Sequence, residues 1–263
     1  MTAHLDGNAA RLYNRYLEGK DAHPVDDAAA QAVMEVAPWV QRVAQHNRGF
    51  LRRSVHYLAG EVGIRQFLDI GVGMPQSPNV HEIAQSYAAD ARVVYVDHDP
   101  DVISHCRAMM DSTPEGMVEV LEGDVTRPQS ILGAAETQRT LDFTEPIALL
   151  LVTVLLFVPD DQHPRPAVKR IIDELPSGSH FVFAHATADF APTEVAEIAR
   201  IYAEAGVRTQ VRTEAEVQQF FTENGLELVE PGMVTTNAWR PTESEPFTTR
   251  IESGVWAGVA RKP

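Results

Sequence analysis

Phe67-Leu68-Asp69-Ile70-Gly71-Val72-Gly73-Met74-Pro75 and, further on, Val93-Val94-Tyr95-Val96-Asp97 decide the reading of this chain. The first stretch is an apolar strand that turns through two glycines. The second is an apolar strand ending in an acid, 24 residues after Gly73. A strand, a glycine turn, a helix and a strand ending in Asp make a nucleoside-binding half-fold. Glycine lets the backbone approach a ligand where a Cβ would collide. The terminal carboxylate can accept hydrogen bonds from the two hydroxyls of a ribose. The third glycine of a dinucleotide turn is absent, and Pro75 stands in its region. A diphosphate needs that third glycine to bring the helix N-terminus close. A phosphate-free nucleoside ligand needs only backbone room.

Outward from this unit, strands and helices alternate. Strands are expected near 67–71, 92–97, 117–122, 147–152 and 179–185. Helices are expected near 79–88, 100–111, 128–135, 165–174, 193–205 and 214–224. Five βα units of this kind imply a parallel sheet with helices on both faces. Two further strands, near 226–230 and 254–261, are joined without a crossover helix, which favours an antiparallel pair. Upstream, 8–17 and 24–36 read as helices, and Pro38 opens a third with apolar positions at Val40, Val43, Leu51, Val55 and Leu58. The chain therefore divides into an N-terminal helical cap, 1–65, and an α/β domain, 66–263. The fold class is α/β, with a seven-stranded, mostly parallel sheet whose last strand is antiparallel.

The 263 residues carry a formal net charge of −15 and 44% apolar side chains. A field of that sign repels polyphosphate, so no nucleic-acid partner is expected. Arg42, Arg48, Arg52 and Arg53 cluster on one segment and read as a solvated helix face. Apart from Thr153, Ile147 to Val158 is the longest apolar run, and it is too short to span a bilayer. The opening Met1-Thr2-Ala3-His4-Leu5 has no basic start or apolar core of a signal peptide. Cys106 is the one cysteine, and there is no Cys–His metal spacing, so no metal is expected. These features suggest a cytoplasmic protein. They carry no signal for a particular oligomeric state.

Several residues stand out as candidates. Asp97 lies where doubly wound sheets bind ligands, while Asp99 with Pro100 caps the next helix and leaves Asp97 free for a ribose. Asp124 after the third strand can accept the exocyclic amine of adenine, with the backbone N–H of Val125 beside it meeting a ring nitrogen. Alternatively it is a turn Asp before Pro128. Thr153 and Phe157 follow the fourth strand. His185 ends the fifth and could act as a general base, or could simply bind a nearby carbonyl. Asn47 falls on the apolar stripe of the third helix and needs partners, either within the fold, which is preferred, or on a ligand. Arg11, Tyr13, Asn14, Tyr16, Lys20 and Asp21 form a polar-aromatic cluster too short to be a stable helix alone.

Together these segments resemble a family: the bacterial S-adenosyl-L-methionine-dependent methyltransferases long classed as a domain of unknown function. The likeness is carried by Arg11-Leu12-Tyr13-Asn14-Arg15-Tyr16-Leu17-Glu18-Gly19-Lys20-Asp21, by Asn47-Arg48-Gly49-Phe50-Leu51-Arg52-Arg53, and by Gln66 to Gly71. Asn79-Val80-His81-Glu82, Val94 to Pro100 and His185-Ala186-Thr187-Ala188-Asp189-Phe190 complete it. It runs from about residue 9 to the C-terminus, and the Tyr16 to Asp21 stretch is its most specific part. Val72-Gly73-Met74-Pro75 replaces a common Thr-Gly-Leu-Pro, and Ala22-His23 replaces a common Asn-Phe. The resemblance implies a class I Rossmann-like fold and S-adenosyl-L-methionine as cofactor. It puts the cofactor against Asp69, Gly71 and Gly73, against Asp97 with His98, and against Asp124, Val125 and Thr153. It also suggests that Arg11, Tyr13, Tyr16 and Asp21 cover the ligand, Arg11 pairing with its carboxylate. The expected reaction is methyl transfer to a small-molecule acceptor, with His185 as the candidate catalytic base. No Asn-Pro-Pro-Tyr-like motif of amide methylation occurs, and no acid–histidine spacing suits a magnesium-dependent catechol reaction. A noncatalytic cofactor-binding module and a nicotinamide-dependent oxidoreductase are the alternatives.

Overall fold

Three helices precede the first strand in the computed structural model, which describes residues 6–242 and 249–263. The Met1–Leu5 stretch read above for a leader lies outside the described residues. α1 (Ala9–Tyr16) starts where the Asn8 side chain accepts the amide of Arg11. α2 (Pro24–Val36) starts at a capping box between His23 and Asp26, with proline at its first position. α3 (Val40–His56) runs on through a π-helical turn and stops at Gly63, whose φ is +86°. α3 joins two layers. Val40 and Ala44 pack with Leu12, Tyr16, Ala30 and Val33, whereas Phe50, Leu51 and Val55 enter the core beneath the sheet.

β1 (Gln66–Ile70) is buried along its length, as a central parallel strand covered on both faces must be. α4 (Val80–Tyr87), β2 (Arg92–Asp97), α5 (Pro100–Met109) and β3 (Met117–Glu122) follow. The helix expected over 128–135 divides at Gly133 into α6 (Pro128–Leu132) and α7 (Ala135–Thr140). β4 (Ala148–Val152), α8 (Pro164–Glu174), β5 (His180–Ala186), α9 (Pro192–Glu204) and α10 (Glu214–Thr222) come next. The tail gives β6 (Glu227–Leu228), β7 (Val234–Thr235), α11 (Arg250–Ser253) and β8 (Val255–Arg261).

The strand order is β3-β2-β1-β4-β5-β8-β6, with β7 also on β8. β1 to β5 pair in parallel, and β8 runs antiparallel to β5 and β6. The sheet therefore has eight strands where seven are expected. The additional one is the two-residue β7, because the chain turns at Pro231-Gly232 and meets β8 a second time. The order reverses between β1 and β4, so the crevice for a ligand lies outside their carboxyl ends. Among the described residues, no helix is long and apolar enough to cross a membrane.

Candidate functional site

At the reversal the backbone is tied down before any ligand is considered. The amides of Gly71 and Val72 both donate to the carbonyl of Val96, at 2.8 and 3.2 Å. Gly71 has φ +77°, and a Cβ there would lie 2.4 Å from Cγ2 of Val154. Gly73 has φ +65°, and a Cβ there would meet nothing nearer than 3.9 Å. Gly71 is thus needed for the turn itself, and Gly73 keeps space open. The Gly73 amide donates to Asp97 Oδ2 at 3.0 Å, and the Asp99 amide to Asp97 Oδ1 at 3.1 Å. Burial pushes the Asp97 carboxyl up, and these amides partly oppose it. Asp99 caps α5 through the amides of Asp101 and Val102, as expected.

Above this turn lies a cavity of about 530 Å³. Of the residues singled out in the sequence, Tyr13, Asp69, Gly71, Gly73, Asp97, His98, Asp124, Val125 and Thr153 line it. The Asp69 carboxyl has no hydrogen-bond or ion-pair partner among the described residues, although its backbone is paired in the sheet. Burial raises its carboxyl to about 7, with Arg48 opposing and Asp97 adding to the shift. Burial also pushes the Asp124 carboxyl up, but the hydroxyl and amide of Thr126 together with Arg127 outweigh it and hold the group low. Asp124 is therefore a turn Asp and a cavity residue at once. His98 is largely exposed beside Asp97.

A second, smaller cavity of about 120 Å³ adjoins the first. Tyr13, Asn47, Thr153 and Phe157 line both. Thr153 takes φ +63°, uncommon for a β-branched residue, while its amide donates to the Ala184 carbonyl at 2.8 Å. Asn47 donates from Nδ2 to Tyr13 Oη at 3.0 Å and to Thr153 Oγ1 at 3.1 Å. Its Oδ1 is buried without a partner. Asn47 thus finds partners within the fold, as preferred from the sequence, and also stands in the wall between the cavities.

Four expected site residues are placed elsewhere. Arg11 is buried against Asp26 of α2 and reaches Asp101 of α5 at 3.1 Å, so its guanidinium is committed to carboxylates of the fold and lines neither cavity. Asp21 is exposed and accepts Asn14 Nδ2 at 3.1 Å. A Cβ at Gly19 would lie 2.0 Å from Asn14 Oδ1, so the Gly-Lys-Asp turn serves to end α1. Tyr16 lines only the smaller cavity, and its hydroxyl is 2.8 Å from that of Tyr202. His185 lines neither cavity. Its Nδ1 donates to the Ala186 carbonyl at 2.8 Å, and its Nε2 accepts from Arg212, an arginine that can only donate. Burial, then the Arg212 charge, depress the imidazole to about 4. A neutral ring enclosed in this way is a structural group and not a base at the cavities.

The arginines read as a solvated face also need correction. Arg42 is exposed, but Arg53 is buried and donates to the carbonyls of Trp239 and Thr236 at 2.9 and 2.6 Å. Arg52 donates to the Ser77 carbonyl at 3.1 Å. Arg48 donates to the carbonyls of Gln76 and Pro78, lines the larger cavity, and leaves its buried Nε without a partner. The sequence also gave no sign that Gly7, Asn8 and Gly206 to Arg208 would close this cavity.

Comparison with known proteins identifies the family and agrees with the fold. Residues 4–263 match the S-adenosyl methyltransferase family. A DUF574 family protein from Streptomyces avermitilis is 44% identical, with a TM-score of 0.94 and 98% of each chain covered. A candidate methyltransferase from Thermobifida fusca is 37% identical, with a TM-score of 0.86, covering 98% of this chain and 95% of its own. A methyltransferase dependent on S-adenosylmethionine from Anabaena variabilis shares the fold at a TM-score of 0.53 and 12% identity, with 100% of this chain and 99% of its own covered. None of the curated proteins matches. The nicotinamide alternative falls on these findings: the chain belongs to the S-adenosyl methyltransferase family, an enzyme family whose cofactor is S-adenosyl-L-methionine.

Proposed function

We propose that the larger cavity holds S-adenosyl-L-methionine and that the methyl group passes to a small-molecule acceptor seated in the smaller one. The observation that carries this is the common wall: Tyr13, Asn47, Thr153 and Phe157 separate a polar cavity at the strand ends from an apolar one. The residues present fit the cofactor. Gly73 leaves room in the cradle, and Asp97, oriented by two amides, retains lone pairs for ribose hydroxyls. Asp69 is an unpaired acid suited to an ammonium. Arg48, with its free Nε, takes the carboxylate role that the sequence assigns to Arg11. Asp124 and Val125 flank the adenine end.

When bound, S-adenosyl-L-methionine supplies an electrophilic methyl group on a sulfonium. The chain contributes position and dryness. α1 and the first half of α3 act as a lid over the reacting groups, Tyr13 excludes water, and Asn47 and Thr153 define where the two compartments meet. His185 moves no proton in this scheme. A cytoplasmic setting suits the single, buried thiol of Cys106.

Calorimetry with S-adenosylhomocysteine tests the cofactor site. It should bind and raise the melting temperature, and NAD should not. Asp97→Ala should weaken binding by about 1.5–3 kcal/mol, the scale of hydrogen bonds to a charged group. Tight NAD binding with no response to S-adenosylhomocysteine would overturn the proposal. An unchanged affinity in a folded Asp97→Ala variant would remove the ribose role.

A further inference from the structure

The smaller cavity has a chemistry of its own. A dry cavity of roughly 150 Å³ in another protein takes up benzene, and at about 120 Å³ this chamber suits a single ring. Trp39, Val40, Phe157, Phe190, Val195 and Ile198 make much of its wall. Among the described residues that line it there is no carboxylate, imidazole, guanidinium or ammonium.

Among the buried side-chain polar atoms of the described lining residues, the one without a partner belongs to Asn47 in the shared wall, and the hydrogen bonds identify it. Tyr13 Oη donates to the Ala44 carbonyl at 3.0 Å, and Thr153 Oγ1 to the Val152 carbonyl at 2.7 Å. Each hydroxyl has a single proton, so both must accept from Asn47. That fixes the amide with Nδ2 toward the hydroxyls. Oδ1 is then an acceptor, buried and without a donor. A group in that state carries its full desolvation cost until a donor arrives.

We propose that the chamber takes an uncharged, single-ring amine, that Asn47 Oδ1 accepts one of its N–H groups, and that nitrogen receives the methyl group. The inference rests on the reading of the larger cavity as the cofactor site. The nitrogen lone pair forms the new N–CH₃ bond as the methyl–sulfur bond breaks and leaves its electron pair on sulfur. Positive charge passes to nitrogen, and the proton that nitrogen then carries in excess goes to water when the product leaves. No base is needed. A phenol, with a pKa of about 10, would have to lose its proton first, in a chamber without a group to take it. The bond to Asn47 strengthens as nitrogen becomes cationic, so it favours the transition state over the bound amine. Aromatic rings in the lining, of Tyr13, Trp39 and Phe157, suit the same developing charge. An anionic acceptor is disfavoured by Asp69, Asp97, Asp99 and Asp124 next door and by the net charge of −15.

The test uses the full chain. S-Adenosylhomocysteine is titrated first, and benzylamine, benzyl alcohol and benzoate are then titrated into the saturated complex. Benzylamine should bind, with an affinity that approaches a tenfold rise per pH unit between 7 and 9 as its neutral form grows. Benzyl alcohol should show no such rise. The titratable groups facing the ligand are Tyr13 and Tyr16 from α1 and Tyr202 from α9, all held above their usual range by burial and so neutral throughout. With S-adenosyl-L-methionine, N-methylbenzylamine should appear by mass spectrometry. Ala199→Phe should fill the chamber and abolish benzylamine uptake with S-adenosylhomocysteine affinity unchanged. Asn47→Ala should slow turnover about a hundredfold. Uptake of S-adenosylhomocysteine without benzylamine, or methylation of benzyl alcohol or benzoate in preference, overturns the acceptor class alone. Failure to bind S-adenosylhomocysteine overturns the cofactor reading, and this inference with it.

Discussion

The two cavities share four residues but are built on different principles. The larger is made by backbone at the ends of parallel strands. Its glycine turn, the amides on Asp97 and the carbonyl of Val96 are consequences of the sheet's path. The smaller is made mostly by side chains from α1, α3, α9, α11 and irregular segments, and strand pairing enters its wall only at its edge, where Ala186 of β5 pairs with Val255 of β8. A cavity of the first kind is hard to alter without altering the fold. A cavity of the second kind can change contents by single side-chain exchanges. Cofactor and acceptor specificity are therefore separable here, and substitutions can test that separation.

The largest effect is expected at the turn. Gly71→Val would place a β-branched side chain at φ +77°, with its Cβ 2.4 Å from Val154. Left-handed strain of about 1–2 kcal/mol and overpacking of about 1–3 kcal/mol should together cost about 2–5 kcal/mol. Urea unfolding would measure it, and S-adenosylhomocysteine binding should be lost as well. A variant of full stability would mean that the turn is not part of the sheet's architecture, and the contrast between the cavities would collapse.

A smaller loss is expected at Arg212, which braces the segment forming part of both walls. It donates to the carbonyls of Leu155 and Val158, to His185 and to Asp160. Arg212→Met would strand the two carbonyls and His185 Nε2 in the interior, at a cost of about 3 kcal/mol, while the exposed Asp160 would turn to water. His185 adds a pH signature. Its folded value of about 4 lies below an unfolded value of about 6.5, so the unfolded chain takes up the proton first as the solution is acidified. Its contribution is present above pH 6.5 and is lost as pH falls toward 4. Unfolding midpoints measured at pH 7.5 and 5 should differ less in Arg212→Met than in the parent. An equal or larger difference would separate His185 from Arg212.

The contrast also explains what was legible in the sequence. Gly71, Gly73, Asp97 and the strand order follow from local patterns, because strand, turn and acid occur within one βαβ unit. Tyr13 and Thr153 were accessible through resemblance and position. His185 meets a nearby carbonyl, one of its two sequence readings, but the guanidinium that encloses it comes from Arg212, in an irregular stretch with no periodicity to announce it. Arg48, Arg52 and Arg53 read as solvated because the carbonyls they meet belong to the loops near 76–78 and 236–239. No side-chain pattern announces a carbonyl. Arg11 reads as free for a ligand because its partner Asp26, fifteen residues on, belongs to the next helix, and helix periodicity does not show which two helices pack.

The smallest expected effect sharpens the polar side of the comparison. Burial raises the Asp69 carboxyl to about 7, with Arg48 opposing the shift and Asp97 adding to it. A carboxyl with a folded value above its unfolded one favours the fold when protonated, and that contribution is lost as pH rises from about 4 to 7. Cofactor binding should run the other way. If the Asp69 carboxylate receives the ammonium of the cofactor's amino-acid end, the acid must give up its proton on binding. S-Adenosylhomocysteine affinity should then fall about tenfold between pH 7.5 and 6.0, about 1.4 kcal/mol, with proton release visible as a buffer-dependent binding enthalpy. Asp69→Asn should bind more weakly and lose most of this slope, whereas Asp97→Ala should bind more weakly and keep it. A slope that persists in Asp69→Asn and vanishes in Asp97→Ala would exchange the two acids, giving the titrating role to the strand-end carboxylate.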